Sequence, residues 1–404
     1  MNLAAIPTVR VSWMKVERER ALRMHRQRFG REGQIFAAPA RVNLIGEHTD
    51  YTGGFVMPMA IDFRTVAVVS AREDDRAVFY SGNYDEEVGF EIASLKRRPG
   101  GGWSEYPAGV LWSLRKEGIA VGGFDMSLVG DVPLGAGLSS SASVEVATAM
   151  ALLGYTGTAL PLEKVATLCR RAENEYVGAK SGIMDQFAVA GCLAQRAMLL
   201  DCRSLEYELL PLPDEVRVVI CNSMVKHAVA TGEYGDRSAE VEAGQAVLRR
   251  EKPGIKLLRD ATLEDLEACR DLMSAASFKR CRHIITENAR VMEARIALLK
   301  GDMERFGALM VEAHVSVRDD FAASCEEVDV LVAIAMQQPE CFGARITGGG
   351  FGGCSVNVVR AEAAERFVAT LRREYGVKTG IEADCFVCTP SDGAFALAKK
   401  GRVA

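Results

Sequence analysis

The spacing of apolar and polar residues predicts that helices and strands are mixed in the first half of the chain. Residues 15 to 30 follow the pattern of an amphipathic helix, whereas residues 61 to 95 alternate in short runs such as TVAVVSA and AVFYSG, as strands do. FDMSLVGDVP is typical of a strand that ends at Pro133, and SASVEVATAMALLG predicts a helix beginning near Ser141. A turn rich in glycine and serine separates these two segments.

The second half has a different pattern. Residues 238 to 335 are mainly helical in character, with long segments rich in Glu, Lys, Arg, Ala and Leu. A glycine run then leads into CSVNVV, which predicts a strand, and AEAAERFVATLRREYG, which predicts a helix. At 404 residues the chain exceeds the size at which one hydrophobic core usually stops growing. We therefore expect two domains, residues 1–210 and 211–404.

Composition and charge narrow the class of protein. A hydrophobic content of 49% and a mean hydropathy of +0.04 are ordinary for a globular chain. The net charge is −5 and neither sign forms a long block, so we expect neither a nucleic acid nor a membrane partner. The N-terminus lacks the apolar core of a secretory signal, and we expect a cytoplasmic monomer with reduced cysteines. The CxxC at Cys385 and Cys388 lies in a predicted strand without a second ligand pair.

PLGAGLSSSAS, residues 133 to 143, has the features of an anion site. Its glycines permit close backbone approach, its serines offer hydroxyls, and the following helix directs unpaired N–H groups into the turn. A serine-rich helix cap with flexible glycines would have the same local composition. GxxxxGK[ST] is absent from the sequence, so any nucleotide site is of another type than the P-loop.

A second glycine segment, ITGGGFGGCSVNVV, spans residues 346 to 359 and precedes a predicted strand. Five glycines around Phe351 lose so much chain entropy on folding that close approach of a ligand or another backbone is favoured over a simple tight turn or bulge.

Two acidic residues stand out, each with an ordinary alternative. Asp185 in KSGIMDQF is an acid among apolar neighbours, which suits either a general base or a helix cap or satisfied core acid. Glu173 in RRAENEY would by itself be interpreted as part of a solvated helix face.

The segment RVNLIGEHTDYTGG, residues 41 to 54, is unusually rich in hydrogen-bonding groups. Together with PLGAGLSSSAS and ITGGGFGGC it resembles the GHMP kinases and, within them, the galactokinase branch. GIMDQF, KHAVATGEY and HVSVRDDFAASCEEVD extend the likeness through most of the chain. The resemblance implies an α+β fold, with a mixed-sheet N-terminal domain and a ferredoxin-like C-terminal domain that carries extra helices.

The resemblance also implies an activity, the ATP-dependent phosphorylation of the anomeric C1 hydroxyl of galactose. Arg41 would stand beside Asp185, and Asp185 would take the proton of that hydroxyl. The residues implied to bind the sugar are Glu47, His48, Asp50, Gly182, Asp185 and Tyr234. Each sugar hydroxyl left unpaired in such a site would cost roughly 1 to 3 kcal/mol, which explains the dense polar side chains.

On the nucleotide side, the resemblance implies phosphate binding by the turn and the helix end. The residues of that turn are Gly135, Ala136, Gly137, Leu138, Ser139, Ser140 and Ser141. Ser140 and Glu173 would be the protein ligands of Mg²⁺, which usually keeps several waters. Trp103 and Tyr106 would border the adenine, although packing of a WxxY face in the core is an alternative.

Two rival functions are compatible with the same motifs. One is a related sugar kinase, such as an N-acetylgalactosamine kinase, although Thr49 and Tyr51 keep the galactokinase form. The other is a catalytically silent sensor of sugar and ATP, which would have lost residues of the serine turn. One departure from the family pattern is Ala40, where glycine is usual, and we expect it to shift the loop backbone slightly.

Overall fold

The computed structural model describes residues 8–133, 135–179, 181–226 and 230–396 of the chain. The side chain of Tyr234, which the sequence assigned to the sugar site, lies outside the described part. In the described part, the helices and strands of the first half are α1 (Thr8–Phe29), β1 (Gln34–Asn43), β2 (Phe55–Val56), β3 (Pro58–Ala71), β4 (Arg76–Ser81), β5 (Glu86–Glu91), α2 (Glu105–Lys116), β6 (Phe124–Gly130), α3 (Ser140–Thr156), α4 (Leu162–Arg171), α5 (Met184–Gly191), β7 (Arg196–Asp201) and β8 (Tyr207–Pro211).

The second half is mainly helical until residue 336 and then alternates strands with one helix. Its elements are β9 (Val216–Lys226), α6 (Ala230–Glu251), α7 (Leu263–Ala268), α8 (Ala275–Lys300), α9 (Met303–Ser316), α10 (Glu326–Met336), β10 (Cys341–Thr347), β11 (Gly352–Arg360), α11 (Ala364–Thr379), β12 (Asp384–Cys388) and β13 (Phe395–Ala396). The predicted helix after the serine turn begins one residue earlier than expected, at Ser140. None of the described helices is long and apolar enough to cross a membrane.

The strands form three sheets. The first has the order β13-β1-β3-β6-β4-β5 and is mixed, because β4 runs parallel to β6 while its other pairs are antiparallel. The second is antiparallel, with the order β10-β11-β9-β12, and α10 and α11 pack against it. The third is the small sheet β2-β7-β8. The expected α+β architecture, with a mixed sheet in the first half, is confirmed.

A continuous apolar cluster joins the two halves of the chain. Val42 and Met59 from the first sheet share it with Val218 and Val356 from the second sheet and with Phe306 of α9, all five less than 2% exposed. Burial of such side chains contributes about 1.5 to 3 kcal/mol each, so the two halves are held together by packing as well as by the chain. The segment that follows β1 enters this shared region.

The division at residue 210 remains a proposal, and two features bear on it. β8 ends at Pro211 and β9 opens the second sheet at Val216, which supports a boundary between them. β13, however, returns to the first sheet and pairs with β1 through Phe36 and Ala37. Ala40 lies in β1 next to a register shift and does not adopt positive φ, so the reason for expecting a shift of the loop backbone there does not apply.

Candidate active site

The polar segment after β1 folds into a tight loop, residues 44–54, that we call the sugar loop. Its ends are joined by two backbone hydrogen bonds, from Leu44 N–H to Met57 O at 3.0 Å and from Met57 N–H to Ile45 O at 2.9 Å. Gly46 has φ +97°, and a Cβ there would lie 2.7 Å from Phe55 O, so only glycine fits. His48 adopts φ +62° without being glycine, a conformation that the surrounding contacts must maintain.

Helix α8 holds the sugar loop through its backbone. Glu287 Oε1 accepts hydrogen bonds from Gly46 N–H at 2.8 Å and Glu47 N–H at 3.3 Å. His283 Nε2 lies 3.1 Å from Glu47 O, and Asn288 Oδ1 accepts from Phe55 N–H at 2.8 Å. These α8 side chains are buried, so the loop conformation depends on residues more than 230 positions away in sequence.

Glu47 forms a buried ion pair with Arg345 of β10. Arg345 is fully buried, contacts the Glu47 carboxylate, and donates a second hydrogen bond to Asn43 O at 3.1 Å. Asn43 Nδ2 also donates to Glu47 Oε2 at 3.3 Å. Burial raises the pKa of Glu47, and the charges of Arg345 and Arg41 counteract that rise only in part.

His48 is fixed by aromatic contacts. Its ring stacks on Phe321 with centroids 4.1 Å apart and planes 15° from parallel, and it meets His283 edge-on at 6.4 Å. Phe321 belongs to a π-helical turn, Val317–Phe321, that continues α9. Burial lowers the pKa of His48 well below its ordinary value, so the imidazole is neutral at pH 7.

Asp50 lies against the backbone of Gly182. A Cβ at Gly182 would come within 1.8 Å of Asp50 Oδ2, so any larger residue there would displace the Asp50 carboxylate. Burial, followed by the negative charges of Asp185 and Glu47, raises the pKa of Asp50 to about 7. The structure thus gathers three carboxylates, all of them assigned to the sugar from the sequence, in one place.

Asp185 occupies the first turn of α5 and receives donors on both oxygens. Arg41 places Nε and Nη2 each 2.8 Å from Asp185 Oδ1, and Ser139 Oγ donates to Oδ2. Arg41 Nη1 also donates to Gly137 O at 2.7 Å. Arg41 therefore connects the acid directly to the serine turn, in which Ser139 has φ +56° and α3 starts at Ser140.

The two glycine segments meet at this point. A Cβ on Gly137 would lie 3.5 Å from Thr347 O and 3.6 Å from the Cα of Gly348. Gly350 has φ +85°, and a Cβ there would lie 2.4 Å from Ala323 O. Close approach of backbone to backbone, one of the two reasons that the sequence offered for the glycine run, is therefore observed.

Beside the serine turn lies a cavity of about 310 Å³. Its wall includes Trp103, Tyr106, Gly135, Ser140 and Ser141, which the sequence had assigned to the nucleotide. Tyr84 also lines the cavity and stacks on Trp103, with ring centroids 6.3 Å apart. Ser81 and Asn83 line it as well, and sequence reasoning missed both because they lie in a strand and a turn without a recognisable motif.

Glu173 lies near this cavity on a second π-helical turn, Ala172–Val177, which continues α4. The side chain is 7% exposed, and Oε2 accepts hydrogen bonds from Ser181 Oγ at 2.6 Å and Gln186 Nε2 at 2.8 Å. The described residues include no cluster of three or more His, Cys, Asp or Glu side chains able to hold a metal ion.

Sequence reasoning missed the residues that support the site. His283, Glu287 and Asn288 share one face of α8, but a helix rich in charged residues gives no sign of which polar side chains are buried. Arg345 lies three residues before the first glycine of the run, and its position next to that motif is the one signal that could have identified it.

Comparisons with known proteins agree with this geometry. Residues 105–191 match the model described as GHMP kinases N terminal domain, and residues 294–377 match the one described as GHMP kinases C terminal. The fold and the site therefore define a GHMP kinase. Residues 23–71, which contain β1, the sugar loop and β3, match the galactokinase galactose-binding signature.

Individual relatives specify the branch. The chain is 41% identical to a galactokinase of Chloroflexus aggregans over 89% of this chain and 92% of the relative, and 39% identical to a human galactokinase over 98% and 100%. A crystal structure of Lactococcus lactis galactokinase complexed with galactose superposes with a TM-score of 0.89 at 32% identity, covering 94% of this chain and 99% of the other. The chain belongs to the galactokinase family.

We predict that Arg345→Met destabilises the protein by about 3 to 5 kcal/mol, because it leaves the buried Glu47 carboxylate without its cation. Adding Glu47→Gln should recover part of that loss, which denaturant unfolding of the single and double variants will measure. Arg76→Met, which breaks the exposed pair with Glu91, should cost less than about 1 kcal/mol. Equal losses in the buried and exposed variants would contradict this account of the Glu47 pair.

We predict that Asp50→Asn stabilises the ligand-free protein at pH 8 by up to about 4 kcal/mol, the equivalent of a pKa raised from 3.8 to about 7. The folded state holds the Asp50 proton more tightly than the unfolded state. This carboxyl group therefore makes stability fall as pH rises from about 4 to about 7, and the amide removes that contribution. Denaturant unfolding at pH 5 and pH 8 tests this, with the exposed Asp271→Asn as the control. An unchanged pH dependence in Asp50→Asn would refute it.

Proposed function

We propose that this protein transfers the γ-phosphoryl group of ATP to the anomeric C1 hydroxyl of galactose, giving galactose 1-phosphate and ADP. The observation that carries the proposal is the set of contacts around Asp185. Arg41 and Ser139 of the serine turn both donate hydrogen bonds to the Asp185 carboxylate. Asp50 of the sugar loop is close enough for the negative charge of Asp185 to raise the pKa of Asp50. The base, the sugar-binding residues and the phosphate-binding turn therefore meet within a few ångströms.

On the sugar side, Glu47, His48, Asp50, Gly182 and Asp185 form a polar surface around the position of the sugar. Glu47 and Asp50 accept hydrogen bonds from sugar hydroxyls, and the neutral His48 can donate or accept one. The relative from Lactococcus lactis was crystallised with galactose, which supports this assignment. Tyr234 is proposed as a further sugar contact on the family resemblance alone.

Asp185 acts as the base that accepts the proton of the C1 hydroxyl as that oxygen attacks the γ-phosphate. Arg41 holds the carboxylate in position and places a permanent positive charge where the transferring phosphoryl group carries negative charge. Ser139, which donates to the other Asp185 oxygen, completes the link between the base and the phosphate-binding turn.

The nucleotide binds in the cavity beside the serine turn. Trp103 and Tyr106 border the adenine. The amides of Gly135, Ala136, Gly137, Leu138, Ser139, Ser140 and Ser141, with the positive end of the 17-residue helix α3, hold the phosphates.

Ser140 and Glu173 are the proposed protein ligands of Mg²⁺. Their chemistry fits, because a hydroxyl and a single carboxylate suffice for an ion that keeps several waters. Glu173 Oε1 accepts no hydrogen bond from the described residues, so one carboxylate oxygen is available. When bound, Mg²⁺ would neutralise charge on the β- and γ-phosphates. We further propose that the protein acts as a cytoplasmic monomer.

The rival functions have less support. Arg41, Glu173 and Asp185 are all present and the serine turn is complete, unlike in a sensor that has lost catalysis. The relatives compared above are galactokinases, and none of them is an N-acetylgalactosamine kinase.

The direct test is ADP release measured with saturating MgATP and a panel of galactose, glucose, N-acetylgalactosamine, galacturonate and arabinose. We expect galactose to give the highest kcat/KM. Galactose binding without ADP release would favour a sensor, and a preference for N-acetylgalactosamine would favour the related kinase.

We predict that Asp185→Asn lowers kcat by about 10²- to 10⁴-fold, because the amide keeps the shape of the side chain but cannot accept the proton. Binding of ADP, measured by calorimetry, should change less than about threefold. Asp384→Asn is the matched control, an aspartate in β12 at the end of a different sheet. Near-normal turnover in Asp185→Asn would reject Asp185 as the base.

A further inference from the structure

Three buried polar side chains are hydrogen-bonded in series, and the reaction described above uses only one of them. Glu145 of α3 and Gln186 of α5 are fully buried, and Glu173 is 7% exposed. Gln186 Nε2 lies 3.0 Å from Glu145 Oε2 and 2.8 Å from Glu173 Oε2. A single amide group therefore bridges two carboxyl groups, neither of which forms an ion pair with any described residue.

The two contacts fix the orientation of the Gln186 amide. An amide nitrogen carries two hydrogens, and here each of them has a carboxyl oxygen as its acceptor. Rotating the amide by 180° would place its carbonyl oxygen against both carboxyl groups and remove both hydrogen bonds. Since Glu145 and Gln186 are buried, water is not available to replace them.

The same contacts make the two oxygens of Glu173 inequivalent. Oε2 accepts from Gln186 and from Ser181 Oγ, whereas Oε1 accepts no hydrogen bond from the described residues. Tyr106, which lines the nucleotide cavity, is close enough for burial and the charges of Glu173 and Glu145 to raise the pKa of its hydroxyl. Glu173 is thus held by one oxygen, close to Tyr106 in the wall of that cavity.

We propose that Gln186 is a positioning residue for the metal ligand Glu173. With Glu145 as its anchor, Gln186 fixes the Glu173 carboxylate so that Oε1 is the oxygen that meets Mg²⁺. The inference rests on the proposed function, which makes Glu173 a ligand. Gln186 directly follows Asp185, so one turn of α5 aligns both the base and the metal ligand.

Glu145 serves in this arrangement as a hydrogen-bond acceptor, and its negative charge is not required. Glu145 Oε1 and Gln186 Oε1 are both buried without a donor among the described residues. The amide of Glu145→Gln would keep an acceptor for Gln186 Nε2 and add a donor to this pair. Glu145→Met keeps the length of the side chain but supplies neither oxygen.

The experiment compares Gln186→Met, Glu145→Gln and Glu145→Met with the wild-type protein. The first measurement is Mn²⁺ binding to the protein–ADP complex by electron paramagnetic resonance, which needs no turnover. The second is the Mg²⁺ concentration needed for half-maximal rate, compared with the KM for galactose. Denaturant unfolding of each variant reports its stability separately.

We expect Gln186→Met and Glu145→Met to weaken Mn²⁺ binding about 10- to 100-fold and to raise the Mg²⁺ requirement by a similar factor. The KM for galactose should change less than about twofold. Glu145→Gln should resemble the wild type in all three measurements. This pattern separates positioning of the ligand from a merely structural role, which would lower stability without a selective effect on the metal.

Two results would overturn the proposal. Wild-type Mn²⁺ affinity in Gln186→Met would show that Gln186 does not position the ligand. A loss of Mn²⁺ affinity in Glu145→Gln equal to that in Glu145→Met would show that the arrangement depends on the charge of Glu145. Should Gln186→Met fail to fold, Glu145→Met, which removes the anchor of the Gln186 amide, takes its place with the same expected loss of Mn²⁺ binding. Unchanged binding there would count equally against the proposal.

Failure of the proposed function would be seen differently. If the wild-type protein releases no ADP with galactose, the galactose kinase assignment is rejected. If Gln186→Met nevertheless weakens Mn²⁺ binding to the protein–ADP complex, the role of Gln186 is kept.

Discussion

The contacts of the Arg41 guanidinium are the constraint on which the site depends. Arg41 holds the Asp185 carboxylate with two nitrogens and the carbonyl of Gly137 with the third. The first contact fixes a side chain of α5, and the second fixes the backbone of the turn that opens α3. A planar cation with donors on three nitrogens suits this task, whereas the donors of a lysine all radiate from a single nitrogen. The distance between Asp185, the proposed base, and the serine turn is therefore set by the fold itself.

The sugar loop shows a related principle, in which polar groups of distant segments determine a backbone. Glu287 accepts hydrogen bonds from two backbone amides of the loop, and Arg345 neutralises the buried carboxylate of Glu47. The cost of burying these charges is offset because each has a partner. The loop is consequently part of the packed interior, with His48 held by Phe321, and its binding groups need little reorganisation to meet a ligand.

Much of this was predictable because the informative signals are local. The serine turn, the glycine run and the acids at 47, 50 and 185 are short motifs, and the order of helices and strands follows from apolar spacing. The supporting residues were not predictable in this way. Glu287 and Arg345 contact the loop from 241 and 298 positions away in sequence. Gln186 differs from an ordinary core glutamine only by the two carboxyl groups to which its amide donates. Such contacts exist only after the chain has folded.

The return of the last strand to the first sheet has a consequence for biosynthesis. β13 pairs with β1, and just before it Thr389 and Ser391 bond Asp62 and Arg64 of β3. During translation these residues leave the ribosome long after β1 and β3, so the N-terminal sheet stays one strand short until they have emerged. Its edge at β1 is then an unpaired row of amides and carbonyls, the kind of template that chaperones must shield.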